Sequence, residues 1–412
     1  MRAGNDSMTT MALEKPPHTR KQKIAALADQ CVQCGLCLPT CPTYGLDGNE
    51  AESPRGRIAI AAALARGDAE PTAALRIHLD HCLGCLNCQR VCPANVKYDE
   101  LLVETRALIG PAPRRPRQLL AMLKQPTLLR LAGRVAGVTG FEHWKNRLAE
   151  RLPIQSAWRA ALETWSAPQS GATPAPSVNS HLDEATIAIF PGCVASVEDE
   201  AAERAAITLL QAAGYRVERL PAFCCGAMDL HGGDMDTAER LAERVRDSWQ
   251  RSGAKQLVTV TPGCLGTLRR ALPDVAVVDP ATLLAGRLDR LTFRPLERRV
   301  ALHLPCTQLN VARSESALQE LLRKVPSLDI AVVPRPPHCC GAAGSHMLEF
   351  PERAARLRDG VLGQIATLAP QQVLSSNIGC RLHLAAGMDA HGEHWPHMHP
   401  LTLLAQQLEI SP

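Results

Sequence analysis

The cysteines are the residues of this chain best placed to do chemistry, and they divide into four sets of four with none left over. Two sets share the spacing C-x2-C-x2-C-x3-C-P: Cys31, Cys34, Cys37 and Cys41 before Pro42, and Cys82, Cys85, Cys88 and Cys92 before Pro93. The third set is Cys193, Cys224, Cys225 and Cys264, and the fourth is Cys306, Cys339, Cys340 and Cys380. So many cysteines in a chain expected in the cytoplasm predict metal ligands or redox groups, and no disulfide framework.

The first two sets have the spacing of ligands to cubane [4Fe–4S] clusters. Three cysteines at i, i+3 and i+6 in a tight loop can bind three irons of one cube, and the fourth, held by the following proline, reaches the neighbouring cube. The spacing therefore predicts two crossed ligand sets. These are Cys31, Cys34, Cys37 with Cys92, and Cys82, Cys85, Cys88 with Cys41. Zinc, the alternative, prefers two separated C-x2-C pairs, which this spacing fits poorly. Two adjacent clusters without an open coordination site favour electron transfer over substrate chemistry.

A short segment between the two runs carries two arginines. The sequence Ser53-Pro54-Arg55-Gly56-Arg57 precedes a helical stretch that extends to His81. Arg55 and Arg57 can raise the potential of a cluster or contact a partner. The other interpretation is a solvated loop that leads into a helix.

The stretch 113–159 is basic and rich in leucine. It holds ten Lys and Arg residues against two acidic residues, Glu142 and Glu150, and its pattern predicts an amphipathic helix interrupted at Pro126. Its aromatic residues are Phe141, Trp144 and Trp158. Such a stretch can lie on an anionic membrane surface. The alternative is a solvated helical face packed on a neighbouring domain. Residues 166–180, rich in Pro, Ser, Ala and Gly, are expected to form a flexible linker.

After this linker, short β-branched runs alternate with amphipathic helices, which predicts parallel sheets. The expected strands are 186–190, 215–220 and 256–260 in a first unit, and 300–304, 330–333 and 372–375 in a second. A helix is expected at 198–213, ending at Gly214. The predicted fold class is therefore α+β with α/β units: an N-terminal helical, two-cluster, ferredoxin-type domain and two repeated cysteine-rich α/β units.

In each unit all four cysteines follow the carboxyl ends of predicted strands, where open parallel sheets bind ligands. A Cys-Cys-Gly (CCG) sequence occurs in both, and Gly226 and Gly341 allow a close backbone turn around adjacent thiols. The candidate roles are cluster ligation, a redox-active thiol site, or contact with a substrate or quinone. Burial of the thiols as small hydrophobic groups is the plainer interpretation. The expected boundaries are a tail at 1–22, the cluster domain at 23–110, the basic segment at 111–165, a linker at 166–182, and CCG units at 183–290 and 291–412.

Composition excludes several classes of function. The net charge of +4 and the 3% of aromatic residues give no case for nucleic-acid binding. No apolar run approaches the ~20 residues of a transmembrane helix. The N-terminus lacks the hydrophobic region of a signal peptide, so a cytoplasmic location is expected. No G-x-G-x-x-G or P-loop sequence occurs, so hydride acceptance is expected on another chain.

Together, CVQCGLCLPTCPTYGLDGNEAESPRGRI, CLGCLNCQRVCP and the two CCG units resemble the iron–sulfur subunit of glycolate oxidase (glycolate dehydrogenase), over about residues 31–408. The resemblance implies two [4Fe–4S] clusters on the first eight cysteines, flavin-binding partner subunits that oxidise a 2-hydroxy acid, and a quinone or membrane acceptor. It also implies peripheral association with the inner face of the cell membrane. Related iron–sulfur subunits serve anaerobic glycerol-3-phosphate dehydrogenase, lactate-oxidising complexes and heterodisulfide reductase.

The sequence departs from the heterodisulfide-reductase pattern at one point. There the last cysteine belongs to C-x-x-C, whereas Thr267 and His383 stand at that position here, so a fifth thiolate is absent from both units. His383 as a ligand is the less favoured interpretation. The histidines near the C-terminus are His391, His394, His397 and His399. A surface loop ahead of a final helix at 401–408 is favoured over a metal site for them.

Three functions follow from these features. The leading hypothesis is an electron-transfer subunit of a flavin-dependent dehydrogenase for glycolate, with D-lactate as a further substrate, and the chain alone should oxidise nothing. Lactate or glycerol 3-phosphate as the main substrate is an alternative. The second hypothesis is a disulfide or heterodisulfide reductase that uses the CCG sites. The third is an iron–sulfur scaffold or regulator.

Overall fold

The computed structural model describes residues 19–139, 141, 144–165, 186–334 and 339–409. The predicted linker at 166–180 and most of the predicted tail at 1–22 lie outside these ranges. None of the helices in the described ranges is long and apolar enough to cross a membrane.

The N-terminal part is built from short helices around the two cysteine loops. They are α1 (Arg20–Asp29), α2 (Pro42–Asp47), α3 (Pro54–Arg66), α4 (Ala73–Asp80), α5 (Asn87–Arg90) and α6 (Tyr98–Ile109). Helix α1 begins with a capping box between Thr19 and Gln22. Apolar residues of α1, α3 and α6, among them Ile24, Ala61 and Leu101, form its core.

The segment Ser53-Pro54-Arg55-Gly56-Arg57 starts helix α3, and it is not a solvated loop. Ser53 caps the helix by accepting a hydrogen bond from the Gly56 N–H at 2.9 Å. Any Cβ at Gly56 would lie 2.0 Å from the Glu50 carbonyl oxygen, so only glycine fits there. Arg57 is 1% exposed and pairs with the buried carboxylate of Glu52 at 2.6 Å. The interpretation of Arg57 as part of a solvated loop is wrong, because the 3-10 turn Glu50–Glu52 folds back over it.

Glu52 is a buried carboxylate with four cationic or potentially cationic neighbours. Its Oε2 accepts hydrogen bonds from Arg57 at 2.6 Å and from Arg353 at 3.1 Å. Its Oε1 lies 2.7 Å and 2.8 Å from Nδ1 of His78 and His81. Burial opposes ionisation, but hydrogen bonds to His81 and His78 and the charge of Arg57 lower the Glu52 pKa to about 2.

We expect Glu52→Gln to lower stability by roughly 3–5 kcal/mol, because it leaves the buried guanidinium group of Arg57 without its counter-ion. It also removes one of the two carboxylates that pair with Arg353, the other being Asp47. The matched control is Glu50→Gln, two residues earlier, where Glu50 is exposed, its partner Arg55 is half-buried, and the ion pair contributes little. Anaerobic thermal unfolding should give a much lower Tm for the first variant and a nearly unchanged Tm for the second. Equal Tm values for the two variants would contradict this account of Glu52.

Four helices follow and lie against the rest of the chain. They are α7 (Arg117–Leu123), α8 (Pro126–Thr139), α9 (Lys145–Glu150) and α10 (Ala157–Thr164). The predicted interruption at Pro126 is confirmed, since α8 begins at that proline. Leu119, Leu120 and Ala160 form a buried cluster with Leu348 of the last unit.

Two α/β units complete the chain. The first contains β1 (Thr186–Ile189), α11 (Ala195–Glu198), α12 (Glu200–Ala212), β2 (Arg216–Arg219), α13 (Ala227–His231), α14 (Met235–Gln250), β3 (Gln256–Val258), α15 (Pro262–Ala271), β4 (Ala276–Val278) and α16 (Pro280–Ala285). The second contains β5 (Arg298–His303), α17 (Glu315–Arg323), β6 (Leu328–Val332), α18 (His346–Glu349), α19 (Pro351–Thr367), β7 (Gln372–Ser375), α20 (Ile378–Ala390), β8 (His397–Met398) and α21 (Pro400–Gln407).

The two sheets have the same topology, which confirms the predicted duplication and fold class. Their strand orders are β2-β1-β3-β4 and β6-β5-β7-β8, and every pair is parallel. The six predicted strands occur within one or two residues of their expected limits. The short strands β4 and β8 were not expected, because three or two extended residues leave too little pattern to read.

The units pack on each other as an approximate two-fold pair. Helix α12 of the first contacts α21 of the second, and α17, the counterpart of α12, contacts α16, the counterpart of α21. One apolar core runs through this contact from Ile189 and Leu209 to Leu302 and Leu404. The arrangement brings the equivalent edges of the two sheets to face the same region.

Asp279 caps α16 and is buried in the first unit. Its side chain accepts a hydrogen bond from the Ala281 N–H at 2.8 Å. Burial raises the Asp279 pKa to about 7, although this bond and the charge of Arg269 act against it. Its folded-state pKa thus lies above the unfolded one, so Asp279 favours folding at low pH and loses this effect as pH rises through about 7.

We expect Asp279→Asn to gain stability relative to the native chain as pH rises, because asparagine still caps the helix but carries no charge. Between about pH 5.5 and pH 8 the gain should grow by roughly 2 kcal/mol. Anaerobic Tm measurements across this range check it. A difference in Tm that does not change with pH would contradict the prediction.

Candidate metal centres and an adjoining chamber

The two C-x2-C-x2-C loops are curled in the same way. The second residue after the first cysteine has a positive φ in both, 55° at Gln33 and 59° at Gly84. The fourth does so as well, with 81° at Gly35 and 61° at Leu86. Left-handed backbone conformations at matching positions curl each loop around a centre of its own.

The structure brings the two predicted crossed ligand sets together around two cavities. One is lined by Cys31, Cys34, Cys37 and Cys92, and Cys88 also borders it. The other is lined by Cys41, Cys82, Cys85 and Cys88. The fourth cysteine of each run therefore reaches the cavity of the opposite run.

The surroundings of the two cavities differ in exposure and charge. Cys34 is exposed, and Val32 and Leu36 beside it are 69% and 59% exposed, so the first cavity lies near the surface. At the second cavity, the Arg57 guanidinium approaches the Cys41 sulfur to 4.0 Å. Burial raises the pKa of Cys85 and Cys88. The pKa of Cys82 is lowered, because the charges of Arg57 and Arg106 outweigh its burial.

These two donor sets fit cubane clusters. Each offers four thiols, of which three come from one tight loop and one from a distant turn, around a largely apolar space. A cubane holds its thiolates on four separate irons, which is a wider spacing than that of ligands to one ion. In the described part of the chain, no group of three or more His, Cys, Asp and Glu side chains is placed to bind a single metal ion. Ligation of clusters by these eight cysteines stays a prediction.

The CCG cysteines lie at the carboxyl edges of the sheets, as predicted. Cys193, Cys224, Cys225 and Cys264 follow β1, β2 and β3, and Cys306, Cys339, Cys340 and Cys380 follow β5, β6 and β7. Gly226 and Gly341 have φ of 87° and 77°. A Cβ at Gly341 would lie 2.4 Å from the Ala354 carbonyl oxygen, so this turn requires glycine.

Within each set the thiols contact one another. Cys224 is hydrogen-bonded to Cys193 and Cys225, and these bonds together with the Gly226 N–H lower its pKa well below the usual value. Cys339 is placed in the same way between Cys306 and Cys340, and its pKa is lowered for the same reason. The sulfur atoms of Cys340 and Cys380 are 2.7 Å apart. The first cysteine of each pair is therefore the more acidic thiol.

Both CCG sets open into one chamber between the units, with a cavity volume of about 290 Å³. All eight CCG cysteines line it. The Cys82 loop borders it as well, and so do the basic side chains of Arg106, Arg115, His231 and His346. The duplicated units thus share one site.

The second cluster cavity and the second CCG set are neighbours. Asn310, in a π-helical turn after β5, donates from Nδ2 to the Cys85 carbonyl oxygen at 2.6 Å and to Asn87 Oδ1 at 2.7 Å. Asn87 in turn lines a small cavity with Cys306 and Cys339. The first CCG unit is joined to the cluster loops through α6, where Arg106 donates to the Cys82 carbonyl oxygen and to the His231 carbonyl oxygen, both at 2.8 Å.

Sequence reasoning missed two histidines in the chamber, although a signal for them was present. Both units contain C-C-G-A-x3-H, which ends at His231 and His346. Both side chains line the chamber. Burial lowers the pKa of His346 well below its usual value, so its ring is neutral at physiological pH, whereas the side chain of His231 is exposed. The Nε2 atom of His346 is buried without a hydrogen-bond partner in the described residues.

The histidines that the sequence did single out lie outside the chamber lining. His383 is buried on α20 and does not line the chamber. The expectation that His391, His394, His397 and His399 share a surface loop is wrong in part. His397 belongs to β8, and His399 is 3% exposed, caps α21 and lies 3.2 Å from the Val260 carbonyl oxygen.

Comparison with known families agrees with this arrangement of centres. Residues 27–96 match the 4Fe-4S dicluster domain, and residues 187–269 and 300–385 each match the family described as cysteine-rich domain. The chain is therefore an iron–sulfur protein that joins one dicluster domain to two cysteine-rich domains.

Similar proteins place the chain more closely. It is 27% identical to the glycolate oxidase iron-sulfur subunit of Escherichia coli K12, over 94% of this chain and 97% of that one. It is 26% identical to the probable glycolate oxidase iron-sulfur subunit of Bacillus subtilis, over 88% and 89%. It is also 22% identical to a chain of the dihydromethanophenazine:CoB–CoM heterodisulfide reductase of Methanosarcina barkeri, over 88% and 89%. The predicted resemblance to glycolate oxidase iron–sulfur subunits is confirmed.

Crossed ligation predicts which cysteine variants should behave alike. Cys92→Ser should lose the same cluster as Cys31→Ser, and Cys41→Ser the same cluster as Cys82→Ser, because each pair borders one cavity. Iron content and electron paramagnetic resonance of the reduced variants would show it. If Cys92→Ser gave the spectrum of Cys82→Ser, the ligation would be uncrossed.

Proposed function

We propose that this chain is the electron-transfer subunit of a flavin-dependent glycolate dehydrogenase that works at a membrane surface. A partner subunit oxidises glycolate to glyoxylate, which releases two electrons and two protons, and D-lactate is oxidised to pyruvate in the same way. A quinone-type acceptor takes up two electrons and two protons and becomes a quinol. Two [4Fe–4S] clusters, when bound, supply the one-electron steps between flavin and acceptor.

The observation that carries this proposal is the order of the thiol sites along the molecule. The cavity with Cys34 reaches the surface, the cavity with Cys82 is buried behind it, and the chamber with both CCG sets lies beside the Cys82 loop. Such a series suits electrons that enter at one end and leave at the other. The relatives named glycolate oxidase iron-sulfur subunits support glycolate as the substrate of the complex.

Exposed apolar side chains support the surface cavity as the place of entry. Val32 and Leu36, at 69% and 59% exposure, line the same cavity as the exposed Cys34, and Val91, at 40%, directly precedes Cys92. Apolar side chains around a redox site suit a transient protein interface. The flavin-binding partner would dock there, since this chain carries no dinucleotide fingerprint of its own.

Asn310 supports an exit through the second CCG set. Its bonds to Cys85 and Asn87 hold the Cys85 loop against the turn that carries Cys306. The positive charge of Arg57 beside Cys41 stabilises the reduced, more negative state of the inner centre, which favours electron flow inward.

The experiment is an anaerobic pull-down of this chain from its native cells, with flavin assayed in the eluate. Glycolate, D-lactate and glycerol 3-phosphate are then added separately while cluster absorbance is followed. We expect co-purified flavin and bleaching by glycolate, with no bleaching of the isolated chain. Bleaching by glycerol 3-phosphate alone would identify it, in place of glycolate, as the substrate of the complex. Absence of both flavin and bleaching would contradict the proposal.

A disulfide reductase is the second candidate, because eight thiols face one chamber and a chain of a heterodisulfide reductase is among the relatives. Under this hypothesis the chemically reduced chain alone would cleave a disulfide, and Cys224→Ser or Cys339→Ser would abolish that turnover. The loss of the C-x-x-C ending at Thr267 and His383 counts against it.

A further inference from the structure

The segment that carries α7 to α10 exposes most of the large apolar side chains found on the described surface. Of ten such side chains, three belong to the two cluster-binding runs and the other seven belong to this segment. The seven are Met122, Leu128, Leu131, Val135, Trp144, Ile154 and Trp158. Leu128 and Leu131, at 48% and 58% exposure, are three residues apart on α8 and so share one face of the helix.

The opposite side of the same segment forms a wall of the chamber. Leu123, Leu129 and Ala161 line it, next to Thr164 and Trp165. Leu129 follows Leu128 directly, so α8 is apolar towards the chamber and apolar towards the outside. A helix packed on a protein and otherwise facing only water needs no second apolar face.

Seven of the ten basic residues at 113–159 fall into two groups. Three attach the segment to the CCG units: Arg115 to Glu349 at 2.7 Å, Lys124 to Asp229 at 2.8 Å, and Arg130 to the Ser196 carbonyl oxygen at 3.1 Å. Four others are exposed, and no ion pair joins them to any residue that the structure describes. They are Arg117, Arg134, Arg147 and Arg151.

We propose that the outer face of α8 to α10 docks on an anionic membrane and roofs the chamber, so that a lipophilic quinone enters the chamber from the bilayer. Apolar and indole side chains would reach the acyl boundary while the four arginines meet lipid phosphates. The quinone takes up two electrons and two protons in the chamber, as the proposed function requires. The identity of the acceptor as a quinone rests on the proposed function. The docking of the segment on a membrane does not depend on it.

Charge and position favour a lipid surface over a protein partner as the occupant. The described acidic residues of α7 to α10 are Glu150 and Glu163, and Glu163 pairs with Arg159, so the segment keeps an excess of positive charge. Tryptophans beside arginines are typical of the membrane interface. A lipophilic acceptor would also reach the apolar chamber wall without crossing water.

Docking is tested with the full chain, carrying its clusters, and sedimented vesicles. Vesicles of phosphatidylglycerol and phosphatidylethanolamine should bind the chain, and vesicles of phosphatidylcholine alone should bind it much less. Charge reversal at Arg134→Glu and Arg151→Glu should weaken binding by about fivefold or more for each arginine. Leu128→Gln with Leu131→Gln should also weaken it.

The matched controls make the same changes elsewhere on the surface. Arg216→Glu reverses an exposed arginine of β2, and Val32→Gln with Leu36→Gln removes exposed apolar groups near Cys34. These variants should bind vesicles like the native chain, and unchanged iron content shows that every variant is folded. Equal binding of test and control variants, or of anionic and neutral vesicles, would overturn the proposal.

The acceptor is tested with the intact complex in anionic vesicles. The Arg134→Glu, Arg151→Glu variant should reduce a long-chain quinone at least about fivefold more slowly, while reduction of a water-soluble dye is unchanged. An equal loss with the dye, or release of the flavin partner, would overturn the proposal in favour of a protein interface. If glycolate failed to bleach the clusters, the proposed glycolate dehydrogenase function would be wrong. The binding of the chain to anionic vesicles would not be affected by that result.

Discussion

The buried carboxylate of Glu52 is the interaction on which the arrangement of the centres depends. It binds Arg57 next to Cys41, two histidines of the turn before Cys82, and Arg353 of the second CCG unit. Its side chain therefore joins both cluster loops to the unit that holds Cys339. These four side chains around one buried charge hold the elements in one geometry, because leaving the buried guanidinium of Arg57 unpaired would be costly.

Parallel sheets account for the rest of the site. Cysteines more than 30 residues apart meet because three neighbouring strands end at the same edge, and the paired packing of α12 with α21 and α17 with α16 turns both edges towards one chamber. Duplication thus yields one shared space lined by eight thiols. The second unit donates directly to the Cys85 loop through Asn310, whereas the first is joined to the Cys82 loop through Arg106 of α6, so the two units are attached to the cluster loops in different ways.

The sequence predicted those parts that depend on local spacing. The crossed grouping of Cys92 and Cys41 follows from cysteines three residues apart in tight loops, and the positions of the CCG cysteines follow from strand patterns. Glu52, Asn310 and the shared chamber were not predicted, because each depends on contacts between residues far apart in the chain, such as Glu52 with Arg353. His231 and His346 were visible as a repeated C-C-G-A-x3-H, but only the chamber gives that repeat a meaning.

In the proposed function, electrons leave the two cluster sites through the CCG chamber. The most direct measurement is stopped-flow absorbance of the complex containing Cys339→Ser, reduced with glycolate and then mixed with a quinone. We expect glycolate still to bleach the clusters and the quinone no longer to restore their absorbance. Restoration at the rate of the native complex would show that electrons leave by another route, and would contradict the account.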